Sequence, residues 1–318
     1  MGSPSPIRTE LQTAAIIVAF VPDRFQISRL IGVLARQCEA VYVMDNGGGR
    51  DAITLTQEIQ AVMHIIDMGG NRGLGEALNC GFRLAIAAGF HYVTTFDQDS
   101  EPASGQVKAL LSALQDLKSL GKNVAAVGPR IVDRRHARLI EHSFMRRRVG
   151  WPIAADCPVG SKYVESDVII TSGALISVAA YEQIGEYDSK LFVDYTDMEW
   201  CFRALTRGYR LYGICAVTMS HELSSGISAS VFAMTILKYS PIRRYYYARN
   251  ALLLCRRSHV TIGWRARLLV GLFGRVLLFP IAVKFSKGWT SDWLMLVRGI
   301  RDGMMGISGP VKRSENST

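Results

Sequence analysis

The chain has 318 residues, of which 49% are hydrophobic and 20% charged. That is enough for one large domain, or a domain with a helical appendage, and too apolar for an intrinsically disordered chain. The formal net charge is +10, and residues 251–318 hold eleven Lys/Arg against only Asp292, Asp302 and Glu315. Such a bias implies an anionic partner. Because the cations are interleaved with Leu, Val, Phe and Trp, it favours a membrane surface over nucleic acid. The six cysteines, at 38, 80, 157, 201, 215 and 255, have no ligand-like spacing. They read as small buried hydrophobes in a reducing compartment. The polar start MGSPSPIRTELQT lacks the layout of a signal peptide, so the expected location is cytoplasmic.

In chain order, AAIIVAF (14–20) is a strand-like run that ends at Pro22 and Asp23, a turn and helix start. ISRLIGVLARQ follows as an amphipathic helix. AVYVMDN (40–46) is the second strand, closed by three glycines. AVMHIIDM is a third strand, GLGEALNCGFRLAIAAG a helix, and HYVTTFDQDS a fourth strand running into acids. A helix over 105–120 and strands at NVAAVGP and SDVIITSGALISV complete the pattern. The alternation predicts an α/β sheet covered on both faces, with ligands beyond the carboxyl ends of the strands, where Asp45, Asn46, Asp97 and Asp99 fall. Segment 134–162 is irregular and basic and reads as an excursion over the site. After about residue 225 the pattern turns helical, giving a division into 1–225 and 226–318. The run LLVGLFGRVLLFPIAV (268–283) has 16 residues, with Arg275 and Pro280, and is short of a membrane span. It reads as an interfacial helix or a buried hairpin.

Asp97 and Asp99 are the sharpest chemical signal. Carboxylates one residue apart point to the same side of an extended chain, and a hard cation, Mg²⁺ or Mn²⁺, would relieve their repulsion while holding a diphosphate. The block LFVDYTDMEWCFR sets Asp194, Asp197 and Glu199 among aromatic rings. Shielding there raises a carboxylate toward general-base range, although acids also favour the first turn of any helix. His221 taken alone reads more readily as a surface or core histidine than as a ligand. The spacing Gly69, Gly73, Gly75 imitates a dinucleotide loop. It follows the third strand rather than the first, and no tyrosine has a lysine four residues later, so that reading is set aside.

In order, AAIIVAF, VMDNGG, GGNRGLGEALNCG, TTFDQDS, VGPRI, TSGALIS, IGEYDSKLFVDYTDMEWCFRA, SHELSSG and RRYYYARN resemble glycosyltransferase family 2, and its rhamnosyltransferase branch in particular, over about residues 14–255. The resemblance implies a GT-A nucleotide-diphospho-sugar transferase fold, a Rossmann-like mixed sheet, and displacement with inversion at the anomeric carbon. It places Asp45 on the nucleotide base, Asn71 and Arg72 near the diphosphate, Asp97 and Asp99 in the metal and donor motif, and Asp197 as the base, six residues before Arg203. His221 falls where some relatives complete a metal site. Where the family has Glu-Asp, this chain has Thr196–Asp197. Arg203, Arg244 and Arg249 are expected to bind donor; Arg243, Arg244 and Arg249, with Tyr245–Tyr247, suit a diphosphate, an anionic acceptor or lipid headgroups equally. The expected donor is dTDP-L-rhamnose and the acceptor a lipid-linked glycan or glycolipid, handled at the inner face of the membrane. UDP-galactose, UDP-glucose and a noncatalytic nucleotide-sugar-binding protein are the rivals. In the tail, Trp264, Phe273, Phe279, Trp289 and Trp293 are the expected lipid-facing aromatics.

Overall fold

The computed structural model describes residues 12–48, 60–133, 138–139, 144–221, 227–231, 234–237, 240–282 and 289–311. Its strands are β1 (Thr13–Ala19), β2 (Ala40–Asp45), β3 (Met63–Asp67), β4 (Tyr92–Asp97), β5 (Val124–Asp133), β6 (Arg138–Leu139), β7 (Met145–Arg148), β8 (Trp151–Ala154), β9 (Tyr163–Ser166), β10 (Ala174–Ser177), β11 (Arg210–His221), β12 (Ile227–Val231) and β13 (Met234–Leu237). The α-helices, in the same order, are α1 (Arg24–Leu34), α2 (Leu74–Ala87), α3 (Gln106–Ser119), α4 (Val178–Ile184), α5 (Thr196–Thr206), α6 (Pro241–Cys255), α7 (Ile262–Ala282) and α8 (Trp289–Met304). One large mixed sheet runs β3-β2-β1-β4-β10-β5-β11-β9, with β6 beside β5. The first half is parallel, β10 is antiparallel to β4 and β5, and β11 returns parallel to β5.

Strand alternation sorts the core. Ala14 and Ile16 of β1 face α2, α4 and α5, packing with Phe82, Tyr181 and Trp200. Ala15 and Ile17 face α1 and α3, packing with Ile27, Leu30, Leu110 and Leu114. Asp23 starts α1 by accepting hydrogen bonds from the amides of Phe25 and Gln26 at 3.0 and 2.9 Å, the capping its sequence predicts. Both faces are therefore covered, and the carboxyl ends of the parallel strands β1, β2 and β4 lie together at one edge of the sheet.

The helical region expected from residue 226 begins at Pro241, after the β12–β13 hairpin. It shares a core with the sheet domain: Leu191 and Phe202 pack with Leu253, Leu254, Val260, Trp264 and Leu268. Helix α8 lies closely on α6. A Cβ on Gly299 would stand 2.3 Å from the Tyr245 carbonyl oxygen, and one on Gly303 would stand 2.8 Å from that of Arg249.

Several expectations are corrected. Cys157 and Cys215 form a disulfide, while Cys38 and Cys201 are buried thiols. Spacing arguments miss the pair because 58 residues separate its members. Segment 134–162 contains the β7–β8 hairpin rather than irregular chain alone. The strand expected over 166–178 shrinks to Ala174–Ser177, since Gly173 turns the chain at φ +80°. Trp264 is buried and donates its indole N–H to Asp167 at 2.9 Å, so it cannot reach lipid. Among the described residues, no helix is long and apolar enough to cross a membrane.

Candidate active site

Asp45 ends β2, buried, and its carboxylate accepts from the Gly47 amide at 3.0 Å. This bond and one from the Val21 amide to the Gly47 carbonyl, 2.8 Å, hold the loops after β1 and β2 together. The Phe20 amide donates to the Gln98 side chain at 2.6 Å, which ties the β1 loop to the Asp97–Asp99 turn. Asn46 joins the third loop: it donates to Asn71 Oδ1 (3.2 Å) and accepts from the Arg72 amide (2.7 Å). Asn71 Oδ1 also accepts from the Gly73 amide at 2.9 Å. Asn71 thus shapes the loop with its side-chain oxygen, and Arg72 folds its Nε onto the Met68 carbonyl at 3.2 Å. Asp45, Asn71, Arg72 and Asp97 therefore share one end of the sheet.

Asp97 and Asp99 are both half-buried at the end of β4. The turn between them is braced by a Ser100–Ser172 hydroxyl hydrogen bond and by the Thr95 hydroxyl, which donates to the Thr171 carbonyl at 2.6 Å. The Glu101 amide donates to the Ser220 carbonyl at 3.1 Å. That bridge lays the end of β11, where His221 pairs by its backbone with Asp133, beside the Asp97–Asp99 turn. The His221 side chain lies outside the described residues.

Asp197 enters from a third direction, in the first turn of α5. Burial among protein atoms, with Asp97 close enough to repel it, pushes its carboxyl up to about 6; hydrogen bonds from the backbone at Met198 (2.8 Å) and Thr171 oppose the rise. Residues one hundred positions apart thus converge at one point. Among the described residues no group of three His, Cys, Asp or Glu side chains forms a ready metal cage. The donor set present is two carboxylates beside a third, and it fits a hard divalent ion that takes its other ligands from a diphosphate and water.

The other acids of that block have partners of their own. Glu199 is buried and gripped by Arg203 through two bonds, 2.8 and 2.9 Å, with His259 Nε2 at 3.1 Å. Asp194 accepts from Arg243 Nε at 3.1 Å. Burial pushes the Asp194 carboxyl up and Arg243 draws it back down. Among the described residues, Asp197 is thus the acid of the three that feels Asp97 and has no cationic side chain hydrogen-bonded to it.

The arginines expected on the donor are turned inward. Arg203 also donates to the carbonyls of Ile184 (3.0 Å) and Glu186 (2.6 Å). Arg249, 0% exposed, donates to the carbonyls of Gly309 and Leu191 and to Asn250, and lies against the rings of Tyr245 and Tyr246. Arg244 is buried and faces Asp292 at 3.5 Å. A basic cluster in sequence reads as phosphate-binding; here helix packing takes the guanidinium groups to backbone carbonyls and carboxylates. Asn46 stands at the strand end where the sequence expects ligands; Thr171, Ser172 and Asn250 carry no signal beyond their places in the strings TSGALIS and RRYYYARN.

The glycosyl transferase family 2 sequence model matches residues 28–173. A dTDP-rhamnosyl transferase of Shigella flexneri, RfbF, is 31% identical over 302 residues, 93% of this chain and 96% of that protein. Among solved structures, S. aureus TarS bound to UDP-GlcNAc aligns over 93% of this chain and 81% of its own, with TM-score 0.55 and 13% identity. GalNAc-T7 with UDP, GalNAc and Mn²⁺ aligns over 86% and 58%, with TM-score 0.53 and 13% identity. These glycosyltransferases share the GT-A fold with the sheet described above. With a relative of that identity spanning nearly its whole length, the chain is a glycosyltransferase and belongs to glycosyltransferase family 2.

Proposed function

We propose that the enzyme is an inverting, metal-dependent rhamnosyltransferase, moving L-rhamnose from dTDP-L-rhamnose to a lipid-linked glycan or glycolipid. The nearness of Asp197, a carboxyl of raised proton affinity, to Asp97 at the end of β4 is the observation that supports the reading. Asp197 accepts the proton of the acceptor hydroxyl as that oxygen attacks the anomeric carbon; the bond to the nucleoside diphosphate breaks on the opposite side, inverting the centre. Asp97 and Asp99, with His221 as a further candidate, would hold Mg²⁺ or Mn²⁺, which neutralises charge on the departing diphosphate. Asp45 and Asn46 fix the nucleoside end of the site. The rhamnosyl donor is favoured over UDP-galactose or UDP-glucose by the relative that uses it in name.

The membrane partner rests on α7. Ile262, Leu269, Val270, Phe273 and Leu277 are exposed and share one helical face, while Trp264, Leu268 and Leu272 are buried on the other. Peripheral attachment through that stripe, at the cytoplasmic face, would bring the site to a lipid-borne acceptor. The chemistry is tested by release of nucleoside diphosphate from a panel of nucleotide sugars. Release is expected from dTDP-L-rhamnose, lost in EDTA, restored by Mg²⁺ or Mn²⁺ and abolished by Asp99→Ala. Full activity in EDTA removes the metal from the mechanism, and turnover of a UDP-hexose alone replaces the donor.

A further inference from the structure

The chain leading into α5 has an unusual backbone. After a single 3₁₀ turn at Ser189–Leu191, Phe192 takes φ 69° and ψ −62°, and the Val193 amide donates back to the Leu191 carbonyl at 2.9 Å. That is a γ-turn of the rarer, positive-φ kind. Asp194 and Tyr195 follow at φ 59° and 64°. Three side-chain-bearing residues among four adopt a region suited to glycine, immediately before Thr196 and Asp197. Something must hold them there, and helix α6 does.

Asn250, 0% exposed, points its amide into the turn. Its Nδ2 donates to the carbonyls of Leu191 (2.9 Å), Val193 (2.6 Å) and Asp194 (3.1 Å). Its Oδ1 accepts from Arg249 Nε at 2.9 Å, which fixes the amide's orientation, and Arg249 Nη2 adds a bond to the Leu191 carbonyl at 2.9 Å. Two turns earlier on α6, Arg243 holds the Asp194 carboxylate, and one turn earlier Tyr246 and Tyr247 lie against Phe192 and Tyr195 at 5.0 and 5.2 Å between ring centroids. An amide is suited to this task. Its two hydrogens are shared among the three carbonyls, whereas a carboxylate of the same shape would repel all three.

We propose that Asn250 is a positioning residue of the transfer reaction: it fixes the 191–195 turn and thereby the direction in which Asp197 leaves the first turn of α5. The inference rests on Asp197 being the base. It makes the C-terminal helices part of the catalytic apparatus, although none of their side chains is required to touch substrate.

The test is a double-mutant cycle on release of dTDP from dTDP-L-rhamnose, with water as acceptor and Mg²⁺ present. Asn250→Asp should lower kcat by about 10²-fold, the scale of an ångström-sized misplacement, with the donor KM nearly unchanged. In an Asp197→Asn background the same change should cost little more, because both act through one group. An equal fold-loss in both backgrounds, or a lowered melting temperature with wild-type kcat, overturns the proposal. Asp197→Asn with undiminished turnover would instead overturn the base assignment, and the single variant reveals that directly. Should Asn250→Asp fail to fold, Arg243→Gln tests the same grip from the half-exposed end of the contact. A smaller kcat loss at constant KM, absent in the Asp197→Asn background, supports the positioning role, and wild-type kcat contradicts it.

Discussion

Among the acids of LFVDYTDMEWCFR, the surroundings rather than the spacing separate the roles. Glu199 has its charge satisfied by Arg203, and Asp194 has Arg243, whereas Asp197 is hemmed in by protein and faces Asp97. Replacing Asp197 with Asn should lower turnover by roughly 10²–10⁴-fold, the usual worth of a general base, and leave donor affinity nearly intact. The pH profile gives a second reading. Below its pKa Asp197 is protonated and cannot take a proton, so kcat should fall toward low pH with an apparent pKa near the value of about 6 set by burial and Asp97. A bound divalent cation offsets the Asp97 charge and moves that limb downward, while the contribution of burial remains. A profile that stays flat down through the ordinary carboxylate range in the Mg²⁺-containing donor-hydrolysis assay, or an equal loss from Glu199→Gln with the protein still folded, would reassign the base.

At the scale of elements, loops from three parts of the chain meet by backbone contact. Gly73, which opens α2, sits at φ 86° and ψ 164°. A Cβ there would stand 2.6 Å from the Phe192 carbonyl oxygen, which already accepts from the Leu74 amide at 2.6 Å. This junction couples the Asn71–Arg72 loop to the turn before Asp197. Gly73→Ala should therefore cost about 1–3 kcal/mol from backbone strain alone, more from the collision, and weaken donor binding as well as turnover. A thermal melt together with a donor titration checks both, and wild-type values in each would show the turn to be pliable. The sequence makes the strands and Asp97–Asp99 legible, because apolar runs ending in acids carry a local signal. It hides the γ-turn, since Phe192 and Tyr195 are not residues that announce positive φ. It also misdirects on Arg203, Arg244 and Arg249, because charge is visible in a sequence and the carbonyls that neutralise its cost on burial are not. Order and spacing relative to a known family point to Asp197 as the candidate base, and Arg203 stands one helical turn after Glu199 in the sequence, whereas Arg243, the partner of Asp194, becomes visible only when distant segments are packed.

For the molecule as a whole, the basic tail divides differently from its composition. Arg257 pairs with Asp188, Arg298 and Arg301 with Asp302, and Arg256 donates to the Met304 carbonyl. Arg257 and Arg256 thus tie the helices to the sheet domain and to each other, while Arg298 and Arg301 are paired within α8 itself. The apolar stripe of α7 is different: from Ile262 to Leu277 it runs about 22 Å along the helix at 1.5 Å per residue, with Ile262, Leu269, Val270, Phe273 and Leu277 all exposed. Membrane attachment should then depend more on Val270 and Phe273, 61% and 69% exposed, than on the cations. Burying such side chains contributes about 1.5–3 kcal/mol each, so Val270→Ser with Phe273→Ser should lower vesicle partitioning by on the order of 10²-fold or more. In a flotation assay with vesicles containing phosphatidylserine, the wild-type protein should float, high salt should release only part of it, and the double variant should stay at the bottom while its donor hydrolysis in solution is unchanged. Complete release of the wild type by salt would return the attachment to the arginines and lysines. Equal flotation of wild type and variant would remove the α7 stripe from the membrane face.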